Sequence, residues 1–454
     1  MTQKINMETM PLGPRHGWVV FVASLGQLIG TGVATLAGVI IPLLNVICNP
    51  KLSSAMQGII GAMDLIGIAI GSVIIGKLID KFGYILIFRL CPALVLTASV
   101  ISVFIPTVPI LIVCLFLIGF GIGGEYSLDS NYVSELMPLK WKAFMVGLTK
   151  TVSAFGNIIV AGVCYLLIIH WRDASRWADL MWITAVIAAI MLITRIWFYQ
   201  SPKWLELHGG TKEAQEALEK FLGPDAVLAP EQNTEDTTSS NSKNNSGSGF
   251  FKKNWKRIIL TGVPWACEGL GVYGIGVFLP VLVMSLGLES SEAGQPPVMH
   301  VANSVEITFY ISCIILPGFL LGLFLIRKRC NICNMQSWGF LLCGIFLVLL
   351  LLASLHQWPV WISIVSFMAF ELFLNMGPHL VTYVLPPKVY PVATRGFGTG
   401  IAASLGKIGA VLGVFFIPVL MEYGGTESVL IVSAVVMAIG AAVTWLFRNE
   451  VNSQ

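Results

Sequence analysis

Glu125 and Asp129 stand four residues apart inside an apolar stretch that ends in a compact charged turn, Gly123 to Lys142, GGEYSLDSNYVSELMPLKWK. With Tyr132 they fall at i, i+4 and i+7, so the three share one face of a helix. An ionisable group at membrane depth costs roughly 3 kcal/mol on insertion scales, so two kept together point to function. In a low-dielectric site a carboxylate can take and release protons near neutral pH, which suits a coupling role. The alternative is structural: such acids also hydrogen-bond neighbouring helices as glue. Lys150 is the expected partner. Asp129 and Lys150 lie nearly the same number of residues either side of the Lys140 turn, which sets both at about 15 Å from it on an antiparallel helix pair. An Asp129–Lys150 ion pair would be broken by a proton or an anionic substrate.

The second part of the chain offers Glu268, Tyr273, Glu371, His379 and Lys407. His379 and Lys407 are equally far from the turn near Ala393, and histidine titrates close to physiological pH, as a proton relay requires. A packing histidine is the alternative. Glu306 is expected near the outer end and solvated, and Arg195 near the inner end, with its head snorkelling to the interface. Positive charge within the membrane, from Lys150 and Lys407, favours an anionic cargo.

These side chains need elements to hold them. With 56% hydrophobic and 11% charged residues and a mean hydropathy of +0.81, the chain cannot cover a soluble globule. Successive apolar runs of about 20 residues or more, the length that crosses a hydrocarbon core, number twelve. The chain reads as an all-α membrane protein of twelve transmembrane helices in two pseudo-symmetric six-helix halves. Residues 1–200 form the first half, 201–255 a linker and 256–454 the second half. The linker holds a short helix, Thr211 to Leu222, capped by Thr211, followed by a Ser/Asn-rich tract unable to bury a core. Pro138, Lys142, Phe144 and Gly147 recur at identical spacing as Pro391, Arg395, Phe397 and Gly400, and GVIIP at Gly38 recurs as GVFLP at Gly276. Two like halves around a midplane site is a transporter plan.

Most of the 27 lysines and arginines fall on the side of the linker and both termini, with Lys51, Arg172 and Arg176 opposite, so that side is expected to be cytoplasmic. The small net charge of +3 is spread between apolar runs and forms no nucleic-acid surface. The first apolar run is too long for a signal-peptide core and is expected to stay in the membrane. Gly119, Gly121 and Gly124 match GxGxxG but lie inside a membrane helix without a preceding strand, so they read as packing positions. Cys330 and Cys333 form a single CxxC without a second ligand pair, which reads as a plain turn. No cofactor or metal site is expected.

Several motifs together resemble the major facilitator superfamily, and within it the sugar-porter-like branch. The loop GxLxDxxGRR after the second helix is matched by Gly76, Leu78, Asp80 and Gly83, with Tyr84 and Ile85 replacing the arginines and weakening the charge latch. YxxExxP and a following basic residue are matched by Tyr132, Glu135, Pro138 and Lys142. PESPRWL is matched by Gln200 to Leu205. ExxPxxxRGxGxG is matched by Pro391, Arg395, Gly396, Gly398 and Gly400, with Lys388 in the glutamate's place and expected to turn to Glu135 or Asp80. The resemblance implies a cytoplasmic gate built from Asp80, Glu135, Lys142, Lys388 and Arg395. The seventh helix, WACEGLGVYG, carries Glu268 and Tyr273 where hexose porters of this kind carry glutamines and an asparagine, a pattern nearer to phosphate and organic-ion porters.

The expectation is therefore a secondary transporter, not an enzyme, that carries a small polar metabolite, more readily an anion, by proton symport and alternating access. It would work as a monomer in the plasma or bacterial inner membrane with both termini cytoplasmic. The competing readings are a multidrug or cation exporter of the same fold and a non-transporting membrane sensor or scaffold.

Overall fold

A computed structural model describes residues 5–208, 210–228, 247–275 and 296–451. The first six crossing helices are α1 (Pro14–Ile47), α2 (Ser54–Phe82), α3 (Tyr84–Phe104), α4 (Val108–Leu136), α5 (Lys142–Trp171) and α6 (Ala174–Thr194). The second set is α7 (Gly247–Gly269), α8 (Pro297–Arg327), α9 (Ile332–Leu355), α10 (Val360–Met376, resuming as Pro378–Val384), α11 (Val392–Phe416) and α12 (Tyr423–Val451). Eleven described helices are long and apolar enough to cross a membrane. α7 continues as a π-helical turn, Leu270–Ile275, and the recurring GVFLP at Gly276 lies outside the described residues, as does most of the polar linker tract. Large apolar side chains such as Leu86, Phe104, Trp197, Trp361 and Leu446 face outward, as lipid contact requires.

Local chemistry sets the ends. The Ser53 hydroxyl accepts from Met56 N at 3.2 Å and starts α2. α2 stops at Gly83, whose φ of +80° and close approach to the Gln200 side amide exclude a Cβ. Asn331 caps α9 by accepting from Asn334 N at 3.1 Å. α10 breaks at Gly377, followed by Pro378, which has no N–H to continue the ladder. Two boundaries differ from expectation. α7 begins at Gly247, well before Arg257, because Phe250 packs against Phe397 and Tyr390 at 5.0 and 6.2 Å. The linker helix does span Thr211–Leu222, but Gly210, with φ of +95°, precedes it as its cap in place of Thr211.

Without a hydrophobic drive between helices in lipid, small residues bring backbones together. A Cβ at Gly119 would meet Asp64 O at 2.1 Å, and one at Gly123 would meet Ile68 O at 2.5 Å, so α4 lies directly on α2. Gly121 and Gly124 face Cys91 on α3. All three glycines of the GxGxxG match are packing positions. The two sets of six repeat this construction: Gly156 on α5 abuts Leu28 O on α1 at 2.2 Å, and Gly409 on α11 abuts Ala266 O on α7 at 2.1 Å. Gly156 and Gly409 are related by the same offset as Gly147 and Gly400, and Leu28 and Ala266 by the offset of the GVIIP repeat.

An arm ahead of α1 crosses to the linker. Ile5–Asn6 pairs in parallel with Ala226–Val227, buried Met7 packs with Leu218 and Ala226, and Arg15 donates to Lys220 O and Phe221 O at 3.2 and 2.8 Å. Glu8 accepts from Leu139 N through its carbonyl at 3.0 Å and pairs with Lys203 at 2.7 Å.

Candidate functional site

Three groups of polar side chains lie inside the bundle. In the first, α4 presents Glu125 and Asp129 to α6 and α1. Arg195, at the end of α6, donates both terminal nitrogens to Glu125 at 2.8 and 2.7 Å and reaches Asp129 at 3.3 Å. Gln27 on α1 donates to the other Asp129 oxygen at 3.3 Å, and Gly26 leaves room for both acids. The guanidinium stacks on the Phe88 ring at 4.8 Å. All four charged or amide side chains are buried, with Arg195 at 0% exposure. Two carboxylates around one guanidinium leave one negative charge to be neutralised.

This corrects two expectations. The Asp129–Lys150 pair does not form, because equal depth does not fix rotation about the helix axis. Asp129 turns to α1 and α6, whereas Tyr126, one residue after Glu125 and so about 100° round the helix, faces Lys150. Arg195 does not snorkel; the two acids hold it in the interior. Tyr132, on the same helix, donates to Tyr199 O at 2.7 Å.

The second group lies between the halves. Lys150 on α5 is buried, with its Nζ 5.5 Å from the Tyr126 ring and 5.9 Å from the Tyr383 ring, and it makes no ion pair or hydrogen bond among the described residues. Lys407 on α11 donates to Tyr273 Oη at 2.6 Å and stands 5.0 Å from the Tyr126 ring. Trp265 packs on Tyr126 at 5.9 Å. Glu268 on α7 approaches His379 Nε2 at 3.6 Å; His379 Nδ1 meets Asn375 Oδ1 at 2.9 Å, and the Asn375 amide donates to Glu371 at 3.2 Å. Glu371 and Asn375 are four residues apart on one face of α10, and across the break at Gly377 the His379 ring still meets Asn375, so the chain runs from Glu268 to Glu371. Glu306 is bonded to Tyr310 at 3.1 Å in an exposed setting, apart from this group.

The third group closes the end of the bundle that carries the linker. Asp80 accepts from the backbone amides of Gly396 and Phe397, both at 2.8 Å, at the start of α11, where free N–H groups and the helix dipole favour an anion. Glu135 accepts from Arg395 at 3.0 Å, from the Tyr84 hydroxyl at 2.8 Å and from Ser201 at 2.5 Å. Ser72 donates to Gly400 O and Thr399 to Asn131, both at 3.1 Å. Tyr84, at the first arginine position of the GxLxDxxGRR pattern, thus supports Glu135 directly. Lys388 turns neither to Glu135 nor to Asp80, since Arg395 and the amides of α11 already fill those sites; burial holds its ammonium below the ordinary lysine range. Lys142 stands within electrostatic range of Glu135 and Arg395 without bonding either.

Residues 12–454 match the family described as Sugar (and other) transporter. This chain belongs to that family. It is 25% identical to the inner membrane metabolite transport protein YgcS of Escherichia coli, over 99% of this chain and 95% of that protein. It is 22% identical to the repressible high-affinity phosphate permease of Neurospora crassa, over 97% and 85%. Its fold is similar to that of the proton:xylose symporter XylE, with a TM-score of 0.74, 19% identity and 96% and 94% coverage. The protein is a multi-pass membrane transporter of the major facilitator superfamily, with twelve helices in two halves, and not an enzyme.

In this transporter the sequence reading passed over Asp64, Gln27 and Asn375, and misplaced Arg195. A signal existed for Asp64: one acid in the middle of the long apolar run of α2 is itself unusual. Asn375 could have been found from its spacing of four to both Glu371 and His379.

Proposed function

We propose that this transporter couples protons to the movement of a small polar anion by alternating access. The observation that carries this is Lys150: a buried ammonium with no salt bridge or hydrogen bond among the described residues, which Glu268 reaches only at longer range, beside a second buried ammonium on the other half. A buried charge without a bonded counter-ion is strongly unfavourable, and a bound anion removes the penalty. Lys150 and Lys407, framed by Tyr126, Tyr273, Trp265 and Tyr383, form the substrate site. Glu268, His379 and Glu371 exchange protons beside it. Glu125 and Asp129 share a further proton against Arg195. The similarity to a phosphate permease supports an anionic cargo.

Residues 1–200 and 256–454 rock as two bodies joined by residues 201–255. The contacts of Asp80, Glu135, Lys142, Lys388 and Arg395 form the gate, which opens when the Glu135–Arg395 pair and the Asp80–α11 bonds part. The excess of positive residues at that end makes it cytoplasmic, with both termini, in a plasma or bacterial inner membrane, and the protein acts as a monomer.

Uptake by proteoliposomes tests this, using orthophosphate and a panel of radiolabelled mono- and dicarboxylates, with and without an inward proton gradient. Accumulation of at least one anion, raised by the gradient, is expected. Accumulation that ignores the gradient would remove proton coupling, and flux confined to neutral or cationic compounds would remove the anion site.

A further inference from the structure

One buried acid belongs to none of the three groups. Asp64 sits in the middle of α2 at 1% exposure. One of its oxygens, Oδ1, accepts from its neighbour's amide, Leu65 N, at 2.8 Å; the other, Oδ2, is buried without a hydrogen-bond partner among the described residues. Its backbone is fixed, because Gly119 of α4 lies against Asp64 O so closely that a Cβ there would stand 2.1 Å away. α4 therefore offers it backbone and no charge. The acids of α4 are engaged elsewhere, Glu125 and Asp129 with Arg195, and Glu268 of α7 faces His379. From α11, across the boundary between the halves, Lys407 acts on Asp64 electrostatically. Lys407 is itself bonded to Tyr273 and not to Asp64.

An acid so placed has two stable situations. With a proton it is neutral, and its open oxygen costs only a missing hydrogen bond. Without one, it needs a cation, because an isolated buried carboxylate is strongly unfavourable. Lys407 is the cation within range, and it rides on the half that moves relative to α2. We propose that Asp64 is a proton-binding site of this transporter, whose proton affinity is modulated by Lys407 across the boundary between the halves. It rests on the proton coupling proposed above and adds a site in the first half, facing the second. The carboxyl holds its proton while Lys407 is bonded to Tyr273; movement of α11 that brings the ammonium closer releases the proton, and the carboxylate and ammonium then compensate each other. The occupant is a proton and the step is its transfer to water, with no bond to carbon formed or broken.

Infrared titration of the purified full-length transporter in liposomes reads protonated carboxyl groups directly and needs no substrate. The native protein should show a carboxyl C=O band that fades as pH rises, and Asp64→Asn should lack that component while Glu371→Gln keeps it. Asp64→Glu retains an acid and should move the component in frequency rather than delete it, which guards against a variant that fails to fold. Lys407→Gln, with Asp64 intact, should make the component persist to higher pH, by about tenfold in proton affinity, since a neighbouring cation favours the charged acid. A spectrum unchanged by Asp64→Asn or Asp64→Glu, or a titration unmoved by Lys407→Gln, would overturn the proposal. If the band belongs to Asp64 but no anion accumulates with the proton gradient, the transport reading falls and the proton site stands; the reverse pattern removes only the site.

Discussion

The first and second halves share a scaffold and differ in their charges. Gly156 against Leu28 in one and Gly409 against Ala266 in the other are the same contact at repeat-equivalent positions. The ionisable groups follow no such rule. Asp129 corresponds by the α5/α11 offset to Thr382, Lys150 to Ala403, and Lys407 to Ala154. In the first half, Glu125, Asp129 and Arg195 compensate one another in a closed cluster. In the second, Lys407 leans on a tyrosine hydroxyl and Glu268 on a histidine, while Lys150 reaches in from the first half without a bonded acid among the described residues. The two halves share what close packing demands, because a Cβ at either glycine would press on a backbone oxygen, and differ at the polar positions. Under the proposed function, the closed cluster serves integrity and proton exchange, and the open one cargo.

The sharpest way to break this contrast is Arg195→Leu. It strands two buried acids and should cost about 3–5 kcal/mol, read as a collapse in the melting temperature of the purified protein. A variant that melts like the native protein would show that the cluster is not held by its charges. Lys150→Met removes a buried cation that has no salt bridge or hydrogen bond among the described residues, so its melting temperature should be equal or higher, whereas anion uptake should fall about 100-fold, the scale of losing one side of a desolvated charge contact. A parallel loss of stability would erase the distinction between the clusters. The smallest expected effects test the shared scaffold: Gly156→Ala and Gly409→Ala should each cost about 1–3 kcal/mol through overpacking, and by similar amounts. A large inequality between them would mean that the halves are not equivalent supports.

The parts legible in the sequence were those fixed by one-dimensional pattern. Apolar run length located the crossing helices, and the recurrence of Pro138–Gly147 as Pro391–Gly400 located the second half. Spacing along a motif brought Glu135 and Arg395 to one place, where they bond at 3.0 Å. Counting residues from a turn fixed the depth of Asp129 and Lys150, but the angle of a residue around its helix depends on which neighbours that helix meets. Arg195 follows the same rule: proximity to a helix end suggests solvent, and only the packing of α6 against α3 and α1 puts its guanidinium between the two acids of α4. Lys388, a cation at the motif's glutamate position, is expected to turn to Glu135 or Asp80, but Arg395 and the amides of α11 already occupy those acids.

The arm at Ile5–Asn6 has a consequence for how the protein is made. Its pairing partner, Ala226–Val227, leaves the ribosome only after all six helices of the first half have been synthesised. The opening residues must therefore wait, unpaired, through the insertion of that half. The clasp can close no earlier than the midpoint of synthesis, once the first half and the start of the linker have both arrived.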